Sequence, residues 1–253
     1  MLYYLYDNSF EGFLSAVFDV YSRRETPDRI ASEDITVPMF TDTHTIITDK
    51  EKATRVFNGL KKKISRSALS MLHACFLSEL PDIELILLRY IQKSYASTVS
   101  IELNFADDDV LTLSKIYKKV MRETERMRQF VRFQKTADGM YFSVMEPLYN
   151  VLPLCIDFFQ NRYADQQWLI YDTRRNFGLF YDLQKTEIVS FDKLDAAVLS
   201  GQLTAEQTDE SELEFQKLWK DYLNAVTIRE RKNLRLQRQF MPKRFWKYLV
   251  EKQ

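Results

Sequence analysis

Glycine and proline are scarce in this chain, with 5 and 6 copies in 253 residues. Tight turns and long linkers draw heavily on those two residues. A chain this poor in them is expected to form a compact body with many helices. Phe and Tyr, at 18 and 14 copies, supply bulky apolar surface for its core. The length suits one large domain or two small ones. We expect a single compact domain over residues 1–253, with a weak subdivision into a mainly helical 1–128 and a 129–253 part of hairpins plus a basic C-terminal helix.

Leu2–Tyr6 is a short apolar run ending at Asp-Asn-Ser, the pattern of a strand and its turn. Phe10, Phe13, Leu14, Val17, Phe18 and Tyr21 then recur at helical spacing. Asn8 is the expected cap, with Glu11 completing a capping box. Gly12 in that first turn costs helix propensity, so something is expected to pack closely against it. Helices are expected over 49–64, 67–79, 81–95 and 111–127. Two strand-like runs, Val131–Thr136 and Met140–Met145, flank Asp138-Gly139, a strong hairpin signal. A helix over 151–162 follows. Trp168–Thr173 and Leu179–Asp182 read as a second hairpin, and Glu187–Phe191 as a further strand. The pattern predicts an α+β fold, helix-rich, with a mainly antiparallel sheet built from central hairpins plus the N-terminal strand.

Acidic and basic residues balance at 36 each, yet they are segregated along the chain. Between Thr227 and Leu249 stand Arg229, Arg231, Lys232, Arg235, Arg238, Lys243, Arg244 and Lys247, against the single acid Glu230. Acids concentrate instead at Asp107-Asp108-Asp109 and at Glu206, Asp209, Glu210, Glu212 and Glu214. A helix is expected from Ser211 to about Gln239, with an apolar stripe of Phe215, Leu218, Trp219, Tyr222, Ala225 and Val226. On that helix Arg231, Arg235 and Arg238 fall together on the opposite face, without an acidic partner at helical spacing. Such a ridge is either a solvated face or a contact for an anionic partner. Arg229 and Asn233 land on the apolar side. They either belong to an internal ion pair with Asp7 or Asp172, or line a pocket with Asp7, Glu11 and Asp172.

Much familiar chemistry is missing. His44 and His73 are the two histidines and Cys75 and Cys155 the two cysteines, without ligand spacing for zinc or an iron–sulfur cluster. No metal and no cofactor is expected. The chain has no phosphate-binding Walker or dinucleotide glycine motif and no nucleophile elbow. No catalytic residue is identifiable, and whether the chain is an enzyme stays open. The cysteines lie in apolar surroundings, as buried thiols of a reducing cytosol do. The N-terminus lacks the features of a signal peptide, and the most apolar tract, 68–91, is interrupted by charge, so a cytoplasmic protein without a membrane span is expected.

Three separated motifs carry a family resemblance. They are Asp7-Asn8-Ser9-Phe10-Glu11-Gly12-Phe13, Trp168-Leu169-Ile170-Tyr171-Asp172-Thr173-Arg174-Arg175, and a terminal set of Leu218-Trp219-Lys220, Arg229, Arg231, Asn233, Gln237 and Met241-Pro242-Lys243-Arg244-Phe245-Trp246. Together they resemble a bacterial family of probable DNA metabolism proteins of unknown activity. Its members are encoded beside a putative DNA modification or repair radical SAM protein, and similar regions are fused to uracil-DNA-glycosylase-type domains. The resemblance implies a DNA-binding accessory protein in repair or base modification, with the radical SAM protein as partner. Expected DNA contacts, on single or double strands, are Arg174, Arg175, Arg231, Lys232, Arg235, Arg238, Lys243, Arg244, Trp246 and Lys247. The alternatives are an enzyme acting on nucleic acid or nucleotide through an Arg/Asn/Asp pocket, and a protein–protein adaptor.

Overall fold

The computed structural model describes residues 1–191, 203–204 and 206–252, with Arg229 described in its backbone alone. It is a mixed helix-and-sheet protein whose chain forms two compact units, Met1–Met121 and Arg122–Gln253.

The first unit opens with β1 (Leu2–Tyr6), α1 (Phe10–Arg23), β2 (Arg29–Ser32) and β3 (Asp42–Thr45). It continues with α2 (Lys50–Lys61), α3 (Arg66–Phe76), α4 (Ile83–Ala96) and the start of α5 (Asp108–Phe130). The N-terminal strand does not join the central sheet as expected. It is the middle strand of a separate sheet in the order β2-β1-β3, parallel to both neighbours. Four consecutive residues of β1, Tyr3 to Tyr6, are buried, as befits a strand with a neighbour on each side. α1 and α2 pack against each other.

α1 starts one residue later than expected. Asn8 takes a left-handed conformation with φ 60°. Ser9 is the cap, and its Oγ accepts from the Gly12 N–H at 2.9 Å. The close approach expected at Gly12 is made by side chains of the turn. A Cβ there would lie 2.2 Å from Asp7 Oδ1 and 2.8 Å from Thr48 Oγ1. Asp7 is fixed in that place because its carboxylate accepts from Ser9 N at 3.0 Å, Ser9 Oγ at 2.7 Å and Thr48 Oγ1 at 2.8 Å.

The second unit holds a sheet in the order β4-β5-β6-β7-β8: β4 (Gln134–Lys135), β5 (Tyr141–Met145), β6 (Trp168–Asp172), β7 (Phe177–Tyr181) and β8 (Thr186–Val189). All its pairs are antiparallel except β5 with β6. Between those two strands the chain crosses over through a 3-10 turn, Leu152–Cys155, and α6 (Ile156–Arg162). Both expected hairpins form. Gly139 supplies φ 87° at the first turn and Asn176 φ 55° at the second. Trp168, Tyr171, Phe159 and Phe245 are fully buried in this unit.

After the sheet come α7 (Glu212–Val226), a 3-10 turn Arg229–Arg231, α8 (Leu234–Phe240) and a 3-10 segment Lys243–Tyr248. The continuous helix expected from Ser211 to about Gln239 is therefore broken. Thr227 turns extended and its Oγ1 donates to Leu223 O at 2.5 Å. Asn233 restarts the helix as a cap, accepting from Leu236 N at 3.0 Å. Thr and Asn side chains compete with the backbone ladder, and here they end one helix and begin the next. The apolar stripe of α7 is also not a core face. Phe215 is 62% exposed, and Leu218, Tyr222 and Val226 are exposed as well.

Cys75 and Cys155 are buried free thiols. Burial pushes both up to about 12, which leaves neither as a nucleophile at neutral pH. Among the described residues no helix is long and apolar enough to cross a membrane.

The turn around Gly12 generates a test. Ala in its place gains about 1 kcal/mol of helix propensity but must displace a carboxylate that holds hydrogen bonds worth about 1 kcal/mol each. In urea unfolding Gly12→Ala is expected to lose about 1–2 kcal/mol, with a smaller loss in an Asp7→Ala background. An unchanged midpoint would contradict the packing account.

Candidate nucleic-acid interface

The site in the second unit begins with a buried carboxylate. Glu123, on α5, has 1% of its side chain exposed. An unpaired charge there would cost several kcal/mol, roughly 3–5. Arg244 answers it with a two-pronged pair, Nη1 to Oε1 at 2.8 Å and Nη2 to Oε2 at 2.5 Å. The Leu148 N–H donates to the same Oε1 at 2.9 Å. One carboxylate thus fixes both the loop after β5 and the start of the C-terminal 3-10 segment. Phe245, next in the chain, is buried against Phe130 with ring centroids 5.2 Å apart.

A second buried acid shapes the facing turn. Asp172 ends β6 with no exposed surface. Its Oδ1 accepts from the backbone of Arg174 at 2.9 Å and of Arg175 at 3.3 Å. Its Oδ2 accepts from Arg175 Nη1 at 2.8 Å. Burial raises the Asp172 pKa, and the Arg175 guanidinium works against that rise. Arg175 also donates to the Pro147 and Leu148 carbonyls. It braces the turn from inside, whereas Arg174 is exposed and touches Leu148 O at 3.2 Å.

The two acids bring sequence-distant cations together. Arg174, Lys243, Arg244 and Lys247 line one pocket of about 270 Å³, completed by Glu146 and Leu148. Lys247 reaches Glu146 at 2.7 Å. That ammonium holds the Glu146 carboxyl below the usual carboxylate range, against its partial burial. Lys243 is exposed and has no partner among the described residues. The pocket lining therefore carries four cations and one carboxylate; Arg244 is paired with Glu123 and Lys247 with Glu146, while Arg174 and Lys243 have no ion pair among the described residues.

The other basic residues follow directly along the chain. Arg231, Lys232, Arg235 and Arg238 are all exposed and have no ion-pair partner among the described residues. Several of the clustered acids are engaged with other cations. Asp109 holds Arg89 at 2.6 Å and Lys93 at 2.8 Å, Asp107 holds Lys93, and Asp209 holds Lys135 at 2.9 Å. Glu212 accepts from the Lys135 N–H at 3.0 Å. Trp246 is partly buried, with its indole N–H on Met241 O at 3.0 Å and Lys252 over its ring at 5.2 Å.

The expected grouping of Asp7, Glu11, Asp172, Arg229 and Asn233 divides between the units. Asp7 and Glu11 belong to the first, and the other three to the second. Asp7 is engaged by Ser9 and Thr48, whose hydrogen bonds hold its carboxyl below the usual value although burial pulls it upward. Asp172 is paired with Arg175 rather than Arg229. Asn233 is an exposed helix cap and not a residue of an apolar helix side. The side chain of Arg229 lies outside the described residues. Glu123 and Glu146 were missing from the expected set. Both are acids of helix and loop segments, and nothing local in their neighbourhoods marks them as partners of Arg244 and Lys247.

Fold and site define a mixed α+β protein with a preorganised cationic pocket at the end of its larger sheet. A family model, the domain of unknown function DUF4130, matches residues 81–251, and the chain belongs to that family. No curated protein and no solved structure matches it.

The buried pair makes a direct prediction. Arg244→Ala leaves the buried Glu123 with the Leu148 N–H and the longer Arg126 contact at 3.5 Å, and is expected to destabilise the protein by about 3 kcal/mol in denaturant unfolding, with Arg244→Lys in between. A change below about 0.5 kcal/mol would show that the pair does not organise this region.

Proposed function

We propose that this protein binds DNA through its phosphate backbone, as an accessory factor in DNA repair or base modification. The observation that carries the reading is the convergence of Arg174 with Lys243, Arg244 and Lys247 on one pocket, beside Arg231, Lys232, Arg235 and Arg238 that lack internal partners. Cations held in place by buried acids lose little freedom on meeting a phosphate. The remaining, unpaired cations add attraction that is strong at low salt and indifferent to sequence. In this reading Arg174 and Lys243 set the position of one phosphate, Arg244 adds only the N–H groups that Glu123 leaves unused, and Arg231, Lys232, Arg235 and Arg238 follow the strand. Arg175 and Trp246 support the site from within, because their polar groups already have protein partners. The likeness to proteins encoded beside a radical SAM protein gives the setting: that partner supplies the chemistry, and this chain supplies the grip on DNA.

A second reading rests on α7. Its exposed Phe215, Leu218 and Tyr222 form an apolar face of the kind that docks on another protein. An adaptor of that kind binds its partner tightly and DNA negligibly.

Fluorescence anisotropy with labelled single-stranded and duplex DNA across a salt series separates the two. The DNA reading predicts binding that weakens steeply with salt. Changing Arg231, Arg235 and Arg238 together to Ala is expected to flatten the log–log slope by about 2–3. Arg174→Ala with Lys243→Ala is expected to flatten it by about 1–2. Absence of binding at low salt, or binding indifferent to both variants, would reject the DNA reading in favour of the adaptor.

A further inference from the structure

A large cleft lies in the first unit, apart from the cationic pocket in residues and in chemistry. It is a cleft of about 1130 Å³ at the carboxyl ends of β1 and β3, where Ser9 to Glu11 and Thr48 to Lys50 leave the parallel strands. Crevices at that edge of a parallel sheet are where such folds place ligands. Its walls are the facing sides of α2 and α3, as the lining positions 50, 53, 54, 57 and 61 and then 66, 69, 70 and 73 show by their helical spacing.

The cleft differs from one end to the other. Lys61 and Arg66 stand where α2 ends and α3 begins, and both are exposed. The Lys61 ammonium sits 4.5 Å over the Phe57 ring. Arg66 has no ion-pair partner among the described residues. Ile64 adds apolar lining near that end, and Phe57 and Leu69 continue it toward the middle. At the far end His73 stands edge-on to Phe10, with ring centroids 5.0 Å apart. Glu11 also lines that end, exposed and without a side-chain hydrogen bond. A ligand reaching from the Arg66 level of α3 to the His73 level crosses about two helical turns, roughly 10 Å.

We propose that this cleft binds a nucleoside phosphate. Each part of that ligand has a counterpart here. Phosphate oxygens suit the Lys61–Arg66 end. A planar base suits the face of Phe57, since base and aromatic ring stack irrespective of base identity. The amino or imino N–H groups of the base edge suit the free Glu11 carboxylate and the His73 ring at the other end. A fatty acid would leave Glu11 and His73 without partners, and inorganic phosphate would leave the apolar middle unfilled. The same chemistry arrives as a free nucleotide or as one unit of a single strand.

Isothermal titration of the whole protein with AMP, GMP, CMP and UMP tests this, with adenosine and inorganic phosphate as the separate fragments. At least one nucleotide is expected to bind at about 100 µM or better, with each fragment about tenfold weaker or worse. Lys61→Ala with Arg66→Ala, both at exposed positions, is expected to weaken it by about tenfold or more at unchanged circular dichroism. Ser70→Trp, which fills the cleft from its exposed wall, is expected to abolish it. A thymidine trinucleotide that binds about tenfold tighter than its mononucleotide assigns the site to a strand, and equal or weaker binding assigns it to free nucleotide. The Arg231, Arg235 and Arg238 variant leaves this binding intact, which separates it from the DNA contact of the second unit. No nucleotide binding up to about 1 mM, phosphate alone binding as tightly, or full binding by both cleft variants would overturn the proposal.

Discussion

A single buried carboxylate organises the second unit. Glu123 is sealed from water, and its charge is offset by Arg244 on both oxygens, by the Leu148 N–H on one of them and by Arg126 at 3.5 Å on the other. Those contacts tie together three stretches far apart in sequence: the second half of α5, the loop after β5, and the segment that follows Pro242. Removing Arg244 takes the closest counter-charge from a buried carboxylate, so the pair weighs heavily in the energy of this region. Its consequence for function is rigidity. The guanidinium of Arg244 is held by one edge, and the pocket beside it keeps its shape before any ligand arrives.

The distribution of charge follows from the same logic. Net charge is +0, yet several acids are paired with cations outside the basic C-terminal segment. Asp107 and Asp109 neutralise Arg89 and Lys93 within the first unit, and Asp172 neutralises Arg175 inside the hairpin turn. What is left over is a run of exposed cations on α8 and the turn before it. A balanced composition therefore conceals a positive surface, because charges count by where they are paired and not by their sum.

Much of the architecture was legible in the residues. The stripe from Phe10 to Tyr21 made α1, and Asp138-Gly139 and the Arg174–Asn176 turn made the two hairpins, since in each case local periodicity and turn chemistry agree with the tertiary fold. Arg-Ile-Ala-Ser and Asp-Thr-His-Thr were not legible as β2 and β3. Each is four residues long, and the second has no apolar alternation; pairing with β1 alone makes them strands. That omission is why β1 was expected in the central sheet. The break at Thr227 was hidden for the opposite reason: apolar spacing runs on through it, and the competing Thr and Asn hydrogen bonds are a one-residue signal. The cations of the candidate interface were visible as composition, but the meeting of Arg174 with Lys243, Arg244 and Lys247 is tertiary. So is the link from Arg244 to Glu123, across 121 residues of sequence. The inward use of Arg175 and Trp246 was equally invisible, because an Arg at a hairpin tip reads the same whether it points at a partner or at its own Asp172.

In the proposed function the pocket and the neighbouring basic helix together grip a phosphate backbone. Hydrogen–deuterium exchange with and without a short duplex tests it most directly, because it locates the contact along the chain. Slowed exchange is expected over residues 173–177 and 229–248 when DNA is present, with the α2–α3 region unchanged by duplex. Protection absent from both stretches, or confined to other parts of the chain, would contradict it.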